Sequence, residues 1–228
     1  MGRGRRARQR RNRKKRVGTI SQPATARRIE VELDGFEMAK GWDGPLRGAP
    51  EPCLLLGVFH VCDGRAVTVG RSLTRIRPPD RFPGRVEIRE TLVRAAGFAS
   101  SVDAAPRRFV LLAIAIEEDG GRDVQSIYAD LDRPERFAIW DESAPIPEPR
   151  ALAELGALPV SAAPEAESVR VMYGDSDLAT TTKRDDFVGS LMIRLEASPV
   201  LRPDEWRFVF RSPDGLNDWT AIFLVRVR

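Results

Sequence analysis

Alternation of apolar and charged residues with a period of two limits the fold of this chain more than any other feature. Ile29, Val31 and Leu33 alternate with Arg28, Glu30, Glu32 and Asp34. Val86 and Ile88 alternate with Arg85, Glu87 and Arg89. The same pattern returns at Val169, Val171 and Tyr173, and at Leu191, Ile193 and Leu195. It returns again at Trp206, Phe208 and Phe210, and closes the chain at Phe223, Val225 and Val227. A strand turns successive side chains to opposite faces, so each segment predicts a strand buried on one face and wet on the other. Two runs, Cys53–Val61 and Phe109–Ile116, are apolar at nearly every position. They predict strands covered on both faces, or central strands lying under an insertion.

Turn-forming pairs punctuate the strands: Asp34-Gly35, Asp43-Gly44, Asp63-Gly64, Pro83-Gly84, Asp119-Gly120-Gly121 and Asp214-Gly215. One short helix is predicted over Pro149–Leu158, where Leu152, Leu155 and Leu158 share a face and Pro149 stands near the start. Residues 141–168, rich in Pro, Ala and Glu, read as a surface excursion. Many short strands with few helices predict an all-β chain, an antiparallel β-sandwich.

Charge divides the chain in two. Residues 1–28 hold twelve Arg or Lys and no acid. The remaining residues, 29–228, carry 25 basic and 33 acidic groups, a net charge of −8. Arg3, Arg5, Arg6, Arg8, Arg10, Arg11, Arg13, Lys14, Lys15 and Arg16 repel one another and have nothing apolar to bury, so a disordered basic tail is expected. Residues 29–228 are then one sandwich domain with insertions. Val17–Pro23 forms no apolar run of the kind a secretory signal needs. No apolar stretch approaches the ~18 residues of a membrane span, so a soluble or peripheral cytoplasmic protein is expected. Cys53 and Cys62, nine positions apart on one predicted strand, are about 30 Å apart and cannot pair.

Enzyme signatures are scarce: there is no phosphate-binding Gly-rich loop, no nucleophile elbow, no Cys-x-x-Cys and no zinc-protease helix motif, which leaves only a carboxylate enzyme on the same scaffold as a minor alternative. The single histidine, His60, lies within an apolar run and reads as a packed residue. The chain is therefore expected to be a binding protein and not an enzyme. Asp175-x-Asp177 follows one predicted strand, and Asp185-Asp186 opens the next. Asp175, Asp177 and Asp186 crowd a loop mouth, with Asp185 in reserve, and hard oxygen donors on a loop suit Ca²⁺. Asp and Gly are also simple turn formers, and the spacing does not choose between the two readings.

The segment Val169–Leu195 resembles the third calcium-binding loop of C2 domains: a strand, Asp175-x-Asp177, a polar loop, Asp186-Phe187-Val188-Gly189 and a closing strand. A second likeness lies near the N-terminus, where Arg28–Leu33 precedes a loop with Asp43, followed by Glu51-Pro52-Cys53-Leu54. Both loops are longer than that family's, and Glu51 stands where the family has Asp. The resemblance implies a C2-like sandwich that holds Ca²⁺ through Asp43, Glu51, Asp175, Asp177 and Asp186. It also implies docking on anionic phospholipid, with Trp42, Leu46 and Leu178 entering the headgroup layer. Trp42 also has the more ordinary reading of a core residue, as most Trp side chains are buried. The tail suits an anionic leaflet at about 1 kcal/mol per basic residue. It suits non-specific nucleic-acid binding through counterion release, or an acidic protein partner, equally well. A metal-free β-sandwich interaction module, its tail on nucleic acid, is the alternative reading.

Overall fold

The computed structural model describes residues 26–41, 49–62, 65–99, 108–140, 150–151, 165–166, 170–182, 185–196 and 204–227. In chain order these form β1 (Ala26–Lys40), β2 (Pro52–Cys62), β3 (Arg65–Arg75), β4 (Gly84–Ala99), β5 (Arg108–Glu117) and α1 (Arg122–Asp130). A 3₁₀ turn at Pro134–Arg136 leads to β6 (Phe137–Trp140), followed by β7 (Arg150–Ala151) and β8 (Glu165–Ala166). Then come β9 (Arg170–Tyr173), β10 (Ser176–Asp177), α2 (Leu178–Thr181), β11 (Asp186–Glu196), β12 (Asp204–Arg211) and β13 (Asp218–Val227). The fold is the expected antiparallel β-sandwich. One sheet of the sandwich has the order β4-β1-β13-β12, with β8 added in parallel at the β12 edge, and the facing sheet has the order β11-β5-β2-β3; a third, small sheet has the order β10-β9-β6-β7.

Sequence alternation places the core between the sheets. Val31 and Leu33 of β1 meet Leu54, Leu56 and Val58 of β2, with Leu111 and Ala113 of β5 beside them. Phe208 and Phe210 of β12 and Trp219 and Phe223 of β13 complete this core. In β1 the inward positions switch from odd to even, to Phe36 and Met38, because the pairing slips between Leu33 and Gly35. Asp34-Gly35 is therefore a bulge inside one long strand and not a turn: it inserts one residue, and every later side chain changes face.

The outward faces of β2 and β5 explain their unbroken hydrophobicity. Cys53, Leu55, Phe59 and Val61, with Val110, Leu112, Ile114 and Ile116, form a second core. Elements inserted between β5 and β11 cover it: Val124, Ile127 and Leu131 from α1 and its end, with Phe137, Val171, Tyr173 and Leu178. The central-strands-under-an-insertion reading holds. Gly57 belongs to the fit, since a Cβ there would stand 2.7 Å from Phe59 Cζ and 3.0 Å from Leu131 Cδ2. Truncating a residue such as Leu112 in this layer costs about 2–5 kcal/mol.

The helix in this layer is not the predicted one. Arg150–Ala151 pairs as a strand with Ile139 and Ala138 of β6, and residues 152–158 lie outside the described residues. The 9-residue helix is Arg122–Asp130, with Val124 and Ile127 buried. Residues 1–25, the basic tail among them, also lie outside the described residues.

Candidate metal centre

One end of the sandwich gathers strand termini by register. Glu117, the last residue of β5, pairs with Pro52 at the start of β2 and with Asp186 at the start of β11. Glu117 keeps the inward parity of Phe109, Leu111, Ala113 and Ala115, so its carboxylate enters the end of the space between the sheets, 1% exposed. Asp119 follows two residues later and is exposed, as is Asp186. One carboxylate oxygen from each of Glu117, Asp119 and Asp186 lies within 4.8 Å of the other two. Donors on opposite sides of a Ca²⁺ ion at ~2.4 Å are separated by about that distance. The triad can hold a metal ion.

The surroundings fix the triad and remove its competitors. Glu51 N donates to Glu117 Oε1 at 3.0 Å, and Glu118 N donates to Glu51 O at 3.0 Å. Glu118 turns away from the triad. Its carboxylate takes Arg75 Nε at 2.5 Å and Nη2 at 2.6 Å, and the Cys53 thiol at 3.0 Å. The Arg75 bonds hold Glu118 below the usual carboxylate range against the opposing effect of burial. Burial, with the Glu118 carboxylate beside it, pushes the Cys53 thiol far up, so Cys53 stays protonated and offers no thiolate. The donor set is carboxylate oxygen, which suits hard cations.

Asp185 has a different task from the one its position suggests. Its Oδ1 accepts from the backbone N–H groups of Asp119 at 3.1 Å, Gly120 at 2.8 Å and Gly121 at 3.0 Å. Its Oδ2 accepts from Asp123 N and Val124 N, both at 3.1 Å, while Asp185 N donates to Asp123 Oδ2 at 3.3 Å. Gly121 stands at the N-cap of α1 with φ 71 and no side chain to cap the helix. Asp185 supplies the cap from across the chain, against the positive end of the helix dipole. Burial opposes its ionisation, but the bonds from Gly120, Val124, Gly121 and Asp123 prevail and hold it below the ordinary range. A carboxylate so engaged is a structural anion and not a reserve metal ligand.

The other predicted residues divide. Asp186 belongs to the triad. Glu51 touches it through its backbone, its side chain being exposed. Asp177 caps α2 through Ala179 N at 3.0 Å and pairs with Arg170 at 2.6 Å, and Asp175 lies exposed in the turn between β9 and β10. The triad contains neither of these two. Leu178, expected in a membrane, is 0% exposed: it sits in the second core, which its apolar side chain helps to close. Trp42, Asp43 and Leu46 lie outside the described residues, as do Arg3 through Arg16.

Sequence reasoning missed Glu117 and Asp119. Their signal is the acid-x-acid at the end of the Phe109–Ile116 run, the same strand-then-carboxylates form read at Asp175. Asp119 precedes Asp185 by 66 positions, so the nearer pair drew the assignment. No protein-family model matches the chain, and no curated protein matches it significantly.

Proposed function

We propose that the chain is a C2-like binding module that takes up Ca²⁺ through Glu117, Asp119 and Asp186 and, so loaded, docks on anionic phospholipid. The observation that carries this reading is the convergence of three carboxylates from neighbouring strand ends within 4.8 Å, one of them buried. Ca²⁺ is favoured by all-oxygen donors and by an incomplete cage. Three carboxylates leave several of its six to eight positions to other oxygens, lipid phosphate included. Metal uptake reverses the sign of an acidic rim that would otherwise repel an anionic surface. The polybasic segment Arg3–Arg16 supports the same destination, at about 1 kcal/mol per charge near the leaflet. Nothing in this role requires bond-making, so the chain acts by binding.

The test is co-sedimentation of the full chain with phosphatidylserine-containing vesicles in Ca²⁺ and in EDTA. Pelleting should require Ca²⁺ and fall at least tenfold in Glu117→Gln/Asp119→Asn. Pelleting indifferent to both would overturn the reading.

A further inference from the structure

Of the three triad carboxylates, two are placed by the strand ladder and one is not. Glu117 and Asp186 pair with each other as the last residue of β5 and the first of β11. Asp119 lies two positions beyond that last pair, exposed, on the segment that leads to α1. Asp185 fixes the backbone there. Asp119 N, Gly120 N and Gly121 N all donate to Asp185 Oδ1, at 3.1, 2.8 and 3.0 Å. Successive amides converge on one anion only where the chain curls, and Gly121 at φ 71 supplies the curl. Upstream, Glu118 N donates to Glu51 O at 3.0 Å, so the chain is pinned on both sides of the Asp119 side chain. Asp185 is joined to the triad a second time, through its peptide bond to Asp186. One residue therefore carries one of the three donors and holds the backbone of another.

The clamp is itself anchored. Asp185 is buried, and its Oδ2 takes Asp123 N and Val124 N, both at 3.1 Å, from the first turn of α1. The other end of the helix is fastened by β3. Arg71 Nη1 donates to Tyr128 O at 2.6 Å, Arg71 Nη2 meets Asp132 Oδ2 at 2.7 Å, and the guanidinium lies 4.4 Å from the centre of the Tyr128 ring. Thr68 Oγ1 donates to Leu131 O at 2.7 Å. Helix α1 thus spans from β3 to the start of β11 over the outward face of β2 and β5, with Val124 and Ile127 buried beneath it. Its rigidity reaches Asp119 through a single carboxylate. A donor held in place before the cation arrives loses little entropy on binding. Hydrogen-bonded support of this kind is worth about 10–100-fold in metal affinity.

We infer that Asp185 is the positioning residue of the cation site: it holds Asp119 within range of Glu117 and Asp186 and makes cation affinity depend on the seating of α1. The inference rests on the cation reading above and names what organises that same site. Asp185 acts through Asp119 and not on the cation, since its two oxygens are already engaged by five backbone amides. The coupling is reciprocal: a cation that binds better with Asp119 in place also stabilises the clamp and the first turn of α1.

The experiment titrates the full chain with Ca²⁺ by calorimetry and with Tb³⁺ by luminescence, whose decay in H₂O and D₂O counts the waters on the ion. Asp185→Asn should weaken Ca²⁺ binding by the folded protein about 10–100-fold. It should also add about one water to bound Tb³⁺, as the position left by Asp119 fills with solvent. Leu178→Ala, which loosens the same layer away from the clamp, should change neither; equal weakening there would make Asp185 a general support of the fold and overturn the inference. Losing a negative charge near a cation also weakens binding, and a double-mutant cycle separates the two causes. An effect carried by Asp119 vanishes in the Asp119→Asn background, where Asp185→Asn then changes affinity less than about twofold. An effect that persists there undiminished belongs to charge alone and would overturn the inference. Wild type decides the matter if Asp185→Asn does not fold. At a hundredfold excess of Ca²⁺ over Kd, amide exchange at Gly120, Gly121, Asp123 and Val124 should slow at least about tenfold. The amides of Leu216 and Asn217, bonded within their own turn, should not respond. Exchange at 120–124 indifferent to Ca²⁺, or unaltered Ca²⁺ affinity in Asp185→Asn, would overturn the inference and leave the cation reading standing. Neither heat nor Tb³⁺ signal with wild type would overturn both.

Discussion

Asp185→Asn replaces one acceptor oxygen with an amide that can only donate. In the native chain Oδ1 takes three backbone N–H groups and Oδ2 takes two. Whichever way the new side chain is turned, its NH₂ faces at least two N–H donors in a buried position. Leaving a buried donor unsatisfied costs about 1–3 kcal/mol, and the lost charge weakens the remaining bonds and the cap of α1. The expected loss is about 3–5 kcal/mol, a large share of a typical 5–15 kcal/mol stability. In a domain of this size that lowers Tm by about 6–20 °C. Asp175→Asn, in an exposed turn, should change stability by less than about 0.5 kcal/mol. The assay is denaturant unfolding of the two variants and wild type at neutral pH and in acid. The folded pKa of Asp185 lies below the unfolded one, so its contribution is whole at neutral pH. That contribution erodes as pH falls below about 4 and protons enter the unfolded chain first. The difference between wild type and Asp185→Asn should therefore shrink in acid. A neutral-pH loss under 1 kcal/mol, or a difference that grows in acid, would refute the reasoning.

Three further outcomes follow from the same geometry. Gly121→Ala should cost about 1–3 kcal/mol by urea titration, because the φ of 71 disfavours a Cβ that would also stand 2.5 Å from Glu118 Oε1. Cys53 in the native chain should resist a thiol reagent at pH 8 and react at the rate of unfolding, since burial and Glu118 keep it protonated; fast native labelling would contradict this. Leu178→Ala should lower unfolding stability by about 2–5 kcal/mol while leaving the vesicle partitioning of the folded protein unchanged.

The sandwich was legible because one wet face leaves a period-two signal, as in Trp206, Phe208 and Phe210. The second layer was legible only as an anomaly, since unbroken runs such as Phe109–Ile116 say that both faces are covered but not by what. Asp34-Gly35 misled as a turn because a bulge and a turn use the same residues, and only pairing tells them apart. Helix α1 is short and buries little beyond Val124 and Ile127. Its start is capped by Asp185 from the far end of the insertion, so no local cap announced it. Of the site, Asp186 was legible from Asp-Phe-Val-Gly ahead of an apolar strand. Glu117 and Asp119 were not, because the insertion separates them from Asp186 in sequence while the ladder pairs Glu117 directly with it. The role of Asp185 was hidden because its partners are backbone amides, which leave no mark in sequence.

The most direct test of the cation site is thermal unfolding of the full chain in EDTA and in millimolar Ca²⁺, without lipid. Binding to the folded state alone adds about 2.7 kcal/mol at a hundredfold excess over Kd. The account predicts an upward shift of several degrees, lost in Glu117→Gln/Asp119→Asn and kept in Asp175→Asn/Asp177→Asn. An unchanged transition in Ca²⁺, or a shift that survives in Glu117→Gln/Asp119→Asn, would contradict it.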